Sequence, residues 1–266
     1  MNVKKFLGLA LAACLLATPF VDANAQKKGT RKAGARKTAT AKKAAPAATP
    51  ISMDGKLLEG PAKVPGSPFD AWMSCNFADG GMTINLPGAG NIPMSNLKAT
   101  KAGKTINVSA DFKGVIKMAL KSTDDGATYE GNIDLNGTKL TMWMLDLPAN
   151  PVKTTLSNEE LNGIVASPDG YTCFIKASDG SQAIAIPAEE YLDGANHSYK
   201  LIFDDSAMNN AWDFIKTGTY SIDNGTFTMN LSNGETATGS IYEDGNYINV
   251  DLGRHSGMQL NFLMIR

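Results

Sequence analysis

Few residues in this chain have the type and spacing for covalent or acid–base chemistry. The histidines are His197 and His255, and neither has a cysteine or a second histidine at metal-ligand spacing, so a zinc centre is not expected. Beyond Cys14, the cysteines are Cys75 and Cys173, each just before an Asp-Gly pair. In an exported chain they are either a disulfide or two buried thiols. Glu159-Glu160, Glu189-Glu190 and Asp204-Asp205 are adjacent acid pairs. Neighbours on a strand project to opposite faces, so these do not make the facing carboxylates of a glycosidase. They read as solvated loop acids, and the twelve-residue calcium-loop pattern does not occur. A nucleophile elbow, a phosphate loop and a dinucleotide fingerprint are likewise missing from the sequence. The expectation is no catalytic residue, no metal and no cofactor. Binding chemistry is better served: tryptophan and tyrosine rings can stack on a sugar or wall an apolar pocket. Trp143, Trp212, Tyr220 and Phe227 are the candidate ligand-binding residues.

The elements that must position them are strands. Asn224-Gly225, Asn233-Gly234 and Asp244-Gly245 are strong hairpin turns, because a two-residue type I′ turn needs positive φ at both central positions. Between them apolar residues alternate: Phe227, Met229 and Leu231, then Ile248, Val250 and Leu252, then Met258, Leu260, Phe262 and Met264. Period two means one face buried and one wet. Thr128 to Met142 lines up with Thr236 to Val250, Asp79 to Pro87 with Asp179 to Pro187, and Lys113 to Leu120 with Asn224 to Leu231. Three blocks in one order argue for an internal duplication. The fold class expected is all-β: two tandem antiparallel up-and-down β-barrel-like repeats, residues 51–152 and 153–266, with one short helix in the second. Ser157-x-x-Glu160 is a capping box, and Ala207, Met208, Ala211, Trp212 and Ile215 fit a helical stripe over Asp204 to Ile215. Trp212 on that stripe is a lid residue or core. Residues 86–104 and 189–197 are expected to be loops. The strand at Lys139 to Leu147 is apolar on both faces, Trp143 and Leu145 on one and Leu140, Met142 and Met144 on the other. Such a strand is buried on both sides, either packing one repeat on the other or lining a cavity.

Charge divides the chain. Residues 27–43 carry eight basic side chains and no acid, whereas from Met53 onward 15 basic face 25 acidic residues, a net of −10. An acidic folded part argues against specific nucleic-acid binding. Residues 1–25 form a secretory signal peptide, with an 11-residue apolar core at Phe6 to Leu16, too short to span a bilayer. Leu11-Ala12-Ala13-Cys14 also fits a lipobox, in which case Cys14 carries a lipid anchor. Residues 26–50 are a disordered basic linker, a spacer or a dock for an anionic envelope surface. Beyond the leader, no segment is apolar for long enough to be a transmembrane helix.

The chain resembles the calycin-like β-barrel proteins secreted by Bacteroidetes. The likeness is carried by Met82-Thr83-Ile84-Asn85-Leu86, Ile92-Pro93-Met94-Ser95-Asn96-Leu97 and Gly131-Asn132-Ile133-Asp134-Leu135-Asn136-Gly137-Thr138-Lys139-Leu140-Thr141. The resemblance implies an up-and-down barrel holding a small apolar ligand. The function expected is that of an exported, non-enzymatic barrel binding a small apolar ligand or glycan in the periplasm, at the outer-membrane surface or outside the cell. A structural or protein-interaction module comes second and a hydrolase third.

Overall fold

The computed structural model describes residues 47–86, 90–147, 152–167, 170–180 and 182–266. The leader and most of the basic segment lie outside them, as do residues 148–151. Among the described residues the chain is all-β with one α-helix. Its strands are β1 (Thr49–Pro50), β2 (Leu57–Lys63), β3 (Asp70–Ala78), β4 (Gly81–Leu86), β5 (Gly90–Ala102), β6 (Thr105–Phe112), β7 (Ile116–Ser122), β8 (Thr128–Leu135) and β9 (Thr138–Asp146). Helix α1 (Asn158–Val165) follows, then β10 (Thr172–Ser178), β11 (Ala183–Asp193), β12 (Ser198–Ile202), β13 (Thr217–Asp223), β14 (Thr226–Leu231), β15 (Thr236–Tyr242), β16 (Tyr247–His255) and β17 (Met258–Ile265).

Every strand from β10 to β17 pairs antiparallel with its chain neighbour, and β17 returns to β10 at Thr172↔Ile265 through Ser178↔Gln259. This is a closed eight-stranded barrel, the second ring. The strands β2 to β9 also pair in chain order, and β2 meets β9 at Leu58↔Asp146 and Ala62↔Met142. Closure pairs most strands on both edges, the second half of β11 excepted. A Lys56–Asp146 ion pair ties the β2–β9 join of this first ring. The hairpins turn where the Gly pairs require it: Asp79 and Gly80 have φ of 53° and 69°, and Asn224 and Gly225 48° and 70°.

Alternation sends Met73, Cys75 and Phe77 of β3, Ile133 and Leu135 of β8, and Leu140, Met142 and Met144 of β9 into the first ring. The second ring is filled by Phe227, Met229, Ile248, Val250, Leu260, Phe262 and their neighbours. A separate apolar cluster sits outside both rings. Trp72 and Leu145 meet Phe174, Ala185, Leu263 and Ile265, with Trp143 and Tyr247 packed against them. Phe174 stands 6.0 Å from the Trp72 ring and 5.8 Å from that of Trp143. Backbone pairs Ile184↔Ala71 and Ala185↔Asp70 join β11 to β3 there, and Lys176 reaches Glu59 at 3.6 Å while lying over the Trp72 ring. The two-faced strand β9 thus serves packing between the rings.

The structure departs from the sequence expectation in three places. Residues 90–102 form one long strand and residues 189–193 the end of another, not loops; β5 accommodates Pro93 and takes up a bulge between Ser95 and Lys98, with Asn96 at φ 52°. Asp204 to Ile215 is not a helix. Two short 3₁₀ turns, Ser206–Met208 and Asp213–Ile215, are separated by Asn209 and Asn210 in the left-handed region, which ends a right-handed turn. Asp205 is no solvated acid either. Its carboxylate is buried, accepts from the Trp212 backbone N–H at 3.0 Å and meets Lys216 Nζ at 2.8 Å. Asp205→Ala is expected to cost about 3 kcal/mol in urea unfolding, because the buried Trp212 N–H is left unpaired and Lys216 keeps only Asp213.

Candidate functional site

The two ends of the second ring are closed differently. At one end Trp212 is fully buried, and Phe214 packs on the His255 ring with centroids 4.5 Å apart. At the other end lies α1, started by the capping box in which Ser157 accepts from the Glu160 N–H and Glu160 accepts from the Ser157 N–H. Asn162 on α1 donates to Gly194 O and accepts from the Tyr220 hydroxyl at 3.0 Å; Asn158 accepts from the Asn224 N–H. Helix and hairpin turns are stitched together around Tyr220 and Phe227, which stack at 5.3 Å.

Beside α1 the ring is open. A cleft of about 630 Å³ lies between the end of α1 (Val165 to Ser167), the start of β10 (Gly170, Tyr171), the second half of β11 (Ala188 to Asp193) and β12 (Ser198 to Lys200). It exists because β11 leaves β10 at Cys173↔Ala188 and continues with β12 alone, from Glu189↔Ile202 to Asp193↔Ser198. Ala188 and Leu192 pack on the core, and Val165, Tyr171 and Tyr199 are buried members of it. Glu190 lies on the same strand face as Ala188 and Leu192 by alternation, half-buried. Its Oε1 accepts from the Tyr171 N–H at 3.2 Å and its Oε2 from the Cys173 thiol at 3.0 Å. Tyr171 donates its hydroxyl to Gly245 O at 2.6 Å. Burial pushes the Tyr171 phenol up to about 12, with Arg266 and Glu190 adding opposed charge effects. Burial also raises Tyr199, whose hydroxyl has no hydrogen-bond partner. Glu189, Tyr191, Asp193 and Lys200 form the outer lip.

The residues singled out from sequence lie elsewhere. Trp143 is at the seam between the rings; Trp212, Tyr220 and Phe227 are buried in the second ring's core. None of the four lines the cleft. The signal that would have found it is the acid pair Glu189-Glu190, set aside as solvated, flanked by Tyr191 and Leu192.

Of the two alternatives for Cys75 and Cys173, disulfide or buried thiols, the structure has the thiols. Both thiols are free and buried, because alternation turns each into its own ring. Cys75 meets Met118 Sδ at 3.8 Å, and Cys173 meets Glu190. Burial holds the Cys75 thiol at about 12 and pushes Cys173 further up, with the Glu190 hydrogen bond adding to it. A thiol is a nucleophile only as thiolate. Native protein at pH 8 is expected to take up no iodoacetamide within an hour, and two equivalents on these side chains in urea, read by intact mass.

His255 directs Nε2 at Leu252 O, 2.8 Å away, and stands 3.7 Å from Glu235; His197 packs edge-on against Tyr220. Among the described residues, no group of three or more His, Cys, Asp or Glu side chains could hold a metal, and no helix is long and apolar enough to cross a membrane.

No protein-family model matches the chain, and no curated protein is similar to it. Among solved structures, it is matched with HpuA from Kingella denitrificans, in its crystal structure with human haemoglobin. The identity is 10%, the TM-score is 0.24, and the match covers 82% of this chain and 90% of that one. Likeness at that level does not establish a common fold.

Proposed function

We propose that this is an exported, non-enzymatic barrel protein of the cell envelope that binds a small apolar ligand or glycan in the cleft beside α1. The observation that carries the reading is the cleft itself: about 630 Å³, floored by Val165, Tyr171, Leu192 and Tyr199, with one inward carboxylate. Ligand sites are concavities of this size with apolar walls and a few placed polar groups. The barrel supports the calycin-like resemblance in architecture. Export rests on the leader at residues 1–25, and the basic linker at 26–50 supplies contacts for an anionic surface.

The same reading takes residues 51–152 and 153–266 as tandem copies. The matching sequence blocks fall at the β3–β4, β6–β7 and β8–β9 turns and at the β10–β11, β13–β14 and β15–β16 turns. The match is displaced by one strand, so β3 to β9 correspond to β10 to β16. The closing strand then comes from the N-terminal side in the first ring (β2) and the C-terminal side in the second (β17).

One observation favours the interaction-module reading. Tyr191 and Ile202, on the outer face of the β11–β12 hairpin, are among the few large exposed apolar side chains. Native mass spectrometry of protein purified from its source separates the two. A retained molecule of a few hundred daltons, lost on Leu192→Trp, is the expected result. A ligand-free protein that co-purifies with a partner and loses it on Tyr191→Ser would favour the module instead.

A further inference from the structure

We propose that the cleft beside α1 selects ligands bearing an ammonium group on an apolar or aromatic body. The inference rests on the cleft being a ligand site and adds the ligand's charge. Glu190 sits on the inward strand face, cross-strand from Leu201 and between Ala188 and Leu192. A carboxylate has about four acceptor positions. Here the Tyr171 N–H and the Cys173 thiol fill two of them, both from neutral groups. Among the described residues no cation reaches Glu190 at salt-bridge distance, although other acids here have one, such as Asp205 with Lys216. The remaining charges near the cleft are Glu189, Asp193 and Lys200 on its lip and Arg266, which is engaged with the Tyr171 hydroxyl. A half-buried carboxylate without a counter-ion is a costly arrangement that an incoming cation relieves.

The walls fit the same guest. Tyr171 and Tyr199 line the cleft and Tyr191 stands exposed at its lip. Tyrosine faces attract ammonium groups by their ring quadrupole. The Tyr199 hydroxyl is buried against Gly218 of β13, so it is the ring of Tyr199 that the cleft offers. The floor of Val165 and Leu192 takes the hydrocarbon body. A fatty-acid head would instead set carboxylate against carboxylate, which rejects it.

The test is calorimetric titration of the full chain at pH 7 with n-octylamine, n-octanol and octanoate, all below their aggregation limits. Octylamine is expected to bind about ten-fold tighter than octanol, with octanoate weakest. Glu190→Gln should bring octylamine to octanol's level in the same variant, whereas Glu190→Asp keeps the preference and Glu189→Gln on the lip does not remove it. Octylamine and octanol binding equally to the unaltered chain would overturn charge selection while leaving the cleft as a ligand site. So would an unchanged preference in folded Glu190→Gln. If none of the three binds, the ligand site fails and this proposal with it.

Discussion

Gly60→Ala is expected to unfold the first ring. A Cβ at this position would lie 2.0 Å from the Trp143 carbonyl oxygen and 3.0 Å from the Met144 Cα. Both are backbone atoms of β9, so no rotamer change relieves the clash. The join is already thin at this point: β2 pairs with β9 at Glu59↔Leu145 and again at Ala62↔Met142, with Gly60 and Pro61 between. A proline cannot donate to the ladder, so pushing the strands apart opens the ring where it is held least. The cost is expected to exceed about 4 kcal/mol, the range of substitutions that break a backbone contact in a core. Urea unfolding followed by circular dichroism should show a lost or strongly shifted transition. Gly163 on α1 has open space around its would-be Cβ, so Gly163→Ala is expected to be neutral or stabilising by up to about 1 kcal/mol. An unchanged midpoint for Gly60→Ala would mean the β2–β9 approach is wrongly drawn.

Phe174→Ala is expected to uncouple the two rings. Its ring contacts Trp72 and Trp143 across the seam, in a cluster separate from either interior. Truncating a buried phenylalanine costs about 3 to 5 kcal/mol. Here the loss falls on the joint, not on either core. The unaltered protein is expected to unfold in one step. The variant should unfold in two, seen as a mismatch between tryptophan fluorescence, which senses Trp72 and Trp143 at the seam and Trp212 in the second ring, and far-ultraviolet circular dichroism, which senses all strands. A single coincident transition at the original midpoint would show that the seam carries no coupling.

These two sites also show what was legible in the sequence. Turn chemistry is local, so the Asn-Gly, Asp-Gly and Lys-Gly hairpins and the strands between them could be read directly. The double-sided apolarity of β9 pointed to the seam for the same reason. The partners did not stand out as clearly: Phe174 on β10 and Leu263 and Ile265 on β17 sit out of phase with the alternation, and only closure of the second ring brings them to β9. Strand β2 was hidden because Gly60 and Pro61 look like turn residues, and β5 because Pro93 and Gly90 do. In both, tertiary pairing overrides local preference. Trp212 fitted a helical stripe, yet Asn209 and Asn210 break the turn; Asp205 holds the Trp212 backbone N–H and the indole is buried in the core.

The cleft was illegible for a different reason. Glu189 and Glu190 look alike in sequence, and strand alternation alone sends one to solvent and the other inward. Which of them faces inward depends on where β11 leaves β10, a property of the ring and not of the local residues. The most direct measurement is a backbone amide chemical-shift map of the isotopically labelled chain during titration with n-octylamine. Shifts are expected to concentrate at Val165 to Ser167, Tyr171, Ala188 to Asp193 and Ser198 to Lys200. Shifts centred on the first ring, or on Trp143 and Trp212 with the cleft silent, would contradict it.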